Sequence, residues 1–141
     1  MSEMQRKKEI AEELSIIGPE LKSKFFSDFT KRFDVSQSQW LTIVCLAQSG
    51  GCNFSALSKM LNVSAPTVTG VVDSLEKSKY AKRVYDKSDR RSINVELTEK
   101  GAKFASDMRK SVVSHWEEML GKISVKDGEK LLQIFKEIIA D

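Results

Sequence analysis

Hydrophobic positions at the start of the chain follow a helical period. Ile10, Leu14, Ile17 and Leu21 recur at three- and four-residue steps, one stripe of an amphipathic helix. Gly18-Pro19 interrupts this stripe. Proline lacks an N–H and crowds the preceding turn, so a kink or break is predicted there. The pattern resumes with Phe25, Phe26 and Phe29 and fades by Asp34. Ser36-Gln37-Ser38-Gln39 fits a capping box that opens a second helix carrying Trp40, Leu41, Val44 and Ala47, with Gly50-Gly51 as its stop. Asn53 opens a short third helix with Leu57, Met60 and Leu61 as its buried face, and Asn62-Val63 makes the turn after it. Ser64 caps a fourth helix, with Pro66 in the first turn, where a missing N–H costs nothing. Its inward positions are Val68, Val71 or Val72, and Leu75; Thr67, Thr69, Gly70, Asp73 and Ser74 point outward.

After Lys77 the period changes from helical to alternating. Tyr80, Lys82 and Val84 share one strand face, and Ala81, Arg83 and Tyr85 the other. The return strand alternates more cleanly, with Ile93, Val95 and Leu97 inward and Ser92, Asn94 and Glu96 outward. The loop between the strands, residues 86–91, is polar, charged and too long for a two-residue turn. Thr98 caps a long fifth helix in which Phe104, Met108, Val112, Trp116 and Leu120 fall at four-residue steps, ending at Gly121. Ser124 caps a last helix carrying Leu131, Leu132, Phe135, Ile138 and Ile139. The fold class that follows is mostly α with a small β-hairpin.

Composition narrows the function classes. The chain has 141 residues, 40% hydrophobic and 30% charged, enough apolar material for one packed domain. No apolar run can span a bilayer, and Met1 to Glu13 is charged throughout, unlike a signal peptide; a cytoplasmic protein without a membrane partner is expected. Two cysteines, Cys45 and Cys52, and one histidine, His115, are too few for a disulfide framework or a four-cysteine zinc site, so neither metal nor cofactor is expected. No third orienting group or oxyanion motif accompanies a Cys/His pair, and an enzyme is not expected. The net charge of +3 is unevenly placed. Lys77, Lys79, Lys82, Arg83, Lys87, Arg90 and Arg91 lie within one short window with only Asp86 and Asp89 against them, while acidic residues outnumber basic ones elsewhere. Such a patch suits a surface that meets phosphate.

The element order supplies the geometry for that charge. Two close helices joined by a tight turn form a helix-turn-helix, whose second helix enters the DNA major groove. That helix presents Ala65, Pro66, Thr67, Thr69, Gly70 and Asp73, mostly short side chains that allow close approach to base edges, and its N-terminus at Ser64 favours a phosphate. The adjacent hairpin tip carries Lys87, Ser88, Asp89, Arg90 and Arg91. An arginine there can enter the minor groove, where negative potential is focused. Asp89, two residues from Arg91, can hold the guanidinium in a forked pair and so aim it, leaving Lys87 and Arg90 for backbone phosphates.

The stretches Val68-Thr69, Val72-Asp73, Leu75-Glu76-Lys77, Asp89-Arg90-Arg91-Ser92 and Leu97-Thr98-Glu99-Lys100-Gly101 together resemble the signature of the MarR family of winged-helix regulators. The resemblance implies a winged helix-turn-helix lobe over residues 36–100, flanked by dimerisation helices at 1–33 and 101–141. It implies a homodimer paired through Ile10, Leu14, Ile17, Trp116, Leu120, Leu132, Phe135 and Ile139, bound to double-stranded DNA at a pseudo-palindromic operator, with Arg91 in the minor groove and Asp89 as its partner. It also implies an effector cleft, for which Phe25, Phe29, Trp40, Val44 and Met108 are candidates, taking a small aromatic or amphipathic molecule that releases a repressor. Gly70 stands where many members carry arginine. Two alternatives are a thiol-based redox regulator using Cys45 or Cys52, and a winged-helix protein-interaction module without DNA binding.

Overall fold

The computed structural model describes residues 1–85, 87–89 and 91–140, with side chains for all of these except residues 28–30. The elements are α1 (Glu3–Phe33), α2 (Gln37–Ser49), β1 (Cys52–Asn53), α3 (Phe54–Leu61), α4 (Ala65–Lys77), β2 (Ala81–Tyr85), β3 (Ile93–Leu97), α5 (Glu99–Leu120) and α6 (Val125–Ile139). They fall into two compact units, Met1–Ser106 and Asp107–Asp141.

The first unit is built on local signals that behave as their chemistry demands. The Ser36 hydroxyl accepts the Gln39 N–H, and the Gln39 amide oxygen accepts the Ser36 N–H, closing the capping box. Asn53 caps α3 and Ser64 caps α4 in the same way, through the N–H groups of Ala56 and Thr67. Asn62 ends α3 in the left-handed region, φ 53°, and this turns the chain sharply into α4. The helix-turn-helix is therefore fixed at both ends of its turn.

Its core consists of Ile43 and Leu46 from α2, Leu57 from α3, Val68, Val72 and Leu75 from α4, and Ala81 and Val95 from the sheet. Each of the larger side chains contributes about 1.5–3 kcal/mol by leaving water. Thr42 is buried among them, and its hydroxyl donates to the Ser38 carbonyl at 2.7 Å, so this hydroxyl is not stranded.

Several expectations need correction. The break at Gly18-Pro19 is absent, and α1 runs as one helix of 31 residues. The Ser15 carbonyl, one turn before Pro19, loses its donor on an exposed stretch that is open to solvent. On α2, Ala47 is exposed and Trp40, Leu41 and Val44 are half-buried; the buried face belongs to Thr42, Ile43 and Leu46. Met60 is 50% exposed, because an eight-residue helix buries only the narrow face that Leu57 occupies.

The sheet has three strands rather than two, in the order β1-β3-β2, all antiparallel. The hairpin pairs Ala81 with Leu97, Arg83 with Val95 and Tyr85 with Ile93, the alternation read from sequence. The unexpected strand pairs Cys52 with Val95 and Asn53 with Asn94. Gly51 permits it. At φ 126° it is in a conformation that side chains avoid, and a Cβ there would lie 2.8 Å from Glu96 Cγ. Through β1 the start of α3 is tied to the base of the wing.

In the second unit the end of α5 and all of α6 form a helical pair. Ser124 caps α6 by accepting the Asp127 N–H, and the Trp116 and Phe135 rings meet edge-on at 6.5 Å. No residue of α6 is buried within the single chain.

Candidate DNA interface

The exposed face of α4 is the one the sequence pointed to. Ser64, Ala65, Pro66, Thr67, Thr69, Gly70 and Asp73 are all exposed, while Val68, Val72 and Leu75 are buried behind them. Val72, not Val71, takes the inward place. The Ser64 and Thr67 hydroxyls lie 2.9 Å apart at the N-terminus of α4, where the positive end of the helix dipole suits a phosphate oxygen. A Cβ placed on Gly70 meets nothing within 4 Å, so this stretch of the helix faces open space. Ser74 departs from expectation. Its hydroxyl donates to the Val71 carbonyl and accepts from the Gln39 side-chain amide at 3.0 Å. Gln39 thus closes the α2 capping box and also ties α2 to the recognition helix, a role that no local pattern announces.

On the wing, Lys87, Ser88, Asp89 and Arg91 are exposed; Arg90 lies outside the described residues. Asp89 meets Arg91 through the backbone. Its carboxylate accepts the Arg91 N–H at 3.0 Å, and its carbonyl accepts the Ser92 N–H at 3.0 Å. Among the described residues no ion pair joins the Asp89 carboxylate to the Arg91 guanidinium, so the forked pair is replaced by an Asx-type turn that fixes where the Arg91 Cα sits. Arg91 also borders a groove of about 440 Å³ whose wall includes Asn53 and Ser55 at the start of α3. Those two residues were not anticipated, because only the β1–β3 pairing brings them beside the wing.

A first prediction follows. Arg91→Ala should weaken specific duplex binding by about 1–3 kcal/mol. Asp89→Ala should weaken it too, although it removes a negative charge, because the turn that sets Arg91 is lost. Mobility-shift titration measures both, and tighter binding by Asp89→Ala would refute the positioning role.

The residues expected at a dimer surface are largely bare. Ile10, Leu14, Ile17, Leu120, Leu132, Phe135 and Ile139 are exposed, and Trp116 is half-buried. In the second unit Trp116, Leu120, Ile123, Leu131, Leu132 and Phe135 line an apolar cleft of about 550 Å³.

Of the residues expected near an effector, Phe25 and Trp40 are linked through Phe26. The Phe25–Phe26 ring centroids are 5.6 Å apart and the Phe26–Trp40 centroids 5.5 Å, both edge-on. Val44 is half-buried on α2, Met108 is buried and belongs to the second unit, and the Phe29 side chain lies outside the described residues.

Cys52 is half-buried in β1, and Cys45 is half-buried on α2. Burial pushes the Cys45 thiol up, with the charge of Cys52 adding to it. Burial likewise raises Cys52, against a hydrogen bond with Ser49 that lowers it. Both thiols are therefore held in the less reactive protonated form, which weighs against a thiolate switch.

A MarR family model matches residues 35–93, from just before α2 into β3. The chain is 27% identical over 119 residues to the HTH-type transcriptional regulator FarR of Neisseria gonorrhoeae, covering 82% of this chain and 77% of that one. This chain carries a MarR-family domain over residues 35–93. It is a DNA-binding transcriptional regulator with a winged helix-turn-helix, and its relatives are regulators, not enzymes. Another relative is the homoprotocatechuate degradative operon repressor of Escherichia coli, 21% identical over 116 residues, 82% of this chain and 78% of that one. The fold is shared with the crystal structure of NadR in complex with 4-hydroxyphenylacetate, at a TM-score of 0.71 and 22% identity over 87% of each chain.

Proposed function

We propose that this MarR-family protein is a homodimeric repressor that occupies a pseudo-palindromic operator, reading the major groove with α4 and the minor groove with Arg91. The observation that carries this reading is the exposed face of α4. Thr67, Thr69 and Gly70 stand open to solvent there, on a helix whose opposite face is locked into the core. A face of short polar side chains suits close approach to base edges, and a protein partner would instead call for large apolar anchors. A homodimer is supported by the bare apolar residues of α1 and, separately, of α6, since an unpartnered apolar stripe on a helix of a small protein marks an interface.

Two recognition helices related by a two-fold axis dictate the test. Fragments selected from genomic DNA should carry an inverted repeat with half-site centres on the order of 10 base pairs apart. Selected fragments with no repeat, or no selection at all, would overturn the dimeric reading.

The effector reading rests on the Phe25, Phe26 and Trp40 rings and on relatives whose names pair them with aromatic acids. A small aromatic effector releases the operator by changing the distance between the two α4 helices, because both half-sites bind together only at one spacing.

A further inference from the structure

Arg83 is one of the seven basic residues in the window that suggested phosphate contact, yet its side chain is only 23% exposed and turns inward. From β2 its guanidinium reaches α4, where Nη2 donates to Asp73 Oδ1 at 2.7 Å and Nη1 pairs with Glu76 Oε1. The same guanidinium lies over the ring of Phe54, the first residue of α3, with Cζ 5.3 Å from the ring centroid. One planar group therefore touches the wing strand, the recognition helix and the helix before it.

We propose that Arg83 is a positioning residue that sets the angle between the recognition helix and the wing, and that it makes no phosphate contact. This rests on the reading that α4 and Arg91 engage one duplex together. Asp73 and Glu76 stand three residues apart on α4, so both carboxylates face β2, and the two nitrogens of the planar fork take one each. The Glu76 oxygen in this pair is buried, so loss of the guanidinium leaves a carboxylate that must find water. The helix end then has reason to swing away from β2, and the wing no longer keeps its distance from the major groove. The clamp also accounts for Asp73, an exposed acid on a face meant for DNA. Its charge is answered by Arg83, not by a base.

Three variants decide the matter, using the full-length protein and a duplex selected by the wild type. Arg83→Ala should weaken binding about tenfold, the size of one charge-assisted hydrogen bond, with an unchanged dependence on salt. A phosphate contact would instead lower the slope of log affinity against log salt by about 0.9. Arg83→Lys keeps the charge but offers one nitrogen in place of two and cannot stack as a plane, and it should bind nearly as weakly as Arg83→Ala. Asp73→Asn, at an exposed site remote from the core, should weaken binding as well. Hydroxyl-radical footprints of all three should lose minor-groove protection at the wing while major-groove protection by α4 persists. Wild-type affinity in Arg83→Lys, a reduced salt slope in Arg83→Ala, or tighter binding by Asp73→Asn would each overturn the clamp alone. A wild-type footprint lacking either groove would overturn the interface and the clamp together.

Discussion

Replacing Phe135 with glutamate is expected to leave a folded monomer whose grip on its operator falls by a factor on the order of 10²–10⁴, the gain that joint engagement of two sites supplies. The effect originates in α6. Its apolar residues Leu131, Leu132, Ile134, Phe135, Ile138 and Ile139 fall on one wide stripe, yet none is buried within the chain. Phe135 is 43% exposed, meets only the edge of Trp116 among the rings, and lines the apolar cleft of the second unit. A glutamate there is tolerated by the isolated chain, which leaves that position in contact with water. In a dimer it would have to be desolvated without a partner, a cost that can exceed what the interface supplies. Light scattering after size exclusion gives the mass, and a titration with the selected duplex gives the affinity. A variant that keeps the dimer mass and wild-type affinity would remove α6 from the interface.

The second large effect concerns folding. Gly101→Ala should lower the stability of the winged lobe by about 1–3 kcal/mol from overpacking alone, because the new Cβ would overlap the Tyr80 carbonyl. That carbonyl is not free to retreat. It accepts the Thr98 N–H at 3.0 Å. The Thr98 hydroxyl donates to the Lys79 carbonyl at 2.6 Å and accepts the Gly101 N–H at 3.0 Å. Lys100 adds a hydrogen bond to the Ser78 carbonyl at 3.0 Å and lies over the Tyr80 ring, which itself stacks on Phe104 with centroids 4.4 Å apart. The start of α5 is thus bolted to the turn between α4 and β2, and any backbone shift breaks several bonds at once. Gly70→Ala is the control. Nothing surrounds that position, so alanine should raise stability by about 0.5–1 kcal/mol through helix propensity. Thermal unfolding followed by circular dichroism separates the two, and equal melting temperatures for Gly101→Ala and wild type would refute the contact.

The Leu97-Thr98-Glu99-Lys100-Gly101 run illustrates how much of the site was legible. Its resemblance to a family signature was visible in the chain, and so was the cap at Thr98. The reason for Gly101 was not, because Tyr80 is twenty-one positions away in sequence and nothing local brings its carbonyl there. Asp89 behaved in the same way. Its proximity to Arg91 was plain, but the choice between a side-chain fork and a backbone turn depends on the path of the loop, which composition does not set.

The sequence by itself determined what depends on a few neighbouring residues. The caps at Ser36, Asn53, Ser64 and Ser124 are hydrogen bonds closed within a single turn, and the hairpin register follows from side chains alternating at a period of two. These are local free-energy terms, so local patterns report them. Tertiary structure alone decided the contacts whose partners are far apart in the chain. They are β1 against β3, Gln39 on Ser74, and the one guanidinium of Arg83 shared by α4 and Phe54. The same chemistry made Arg83 read as a surface cation and allowed it to become a clamp. What separated the two outcomes was which carboxylates the packed core of the lobe delivered within reach.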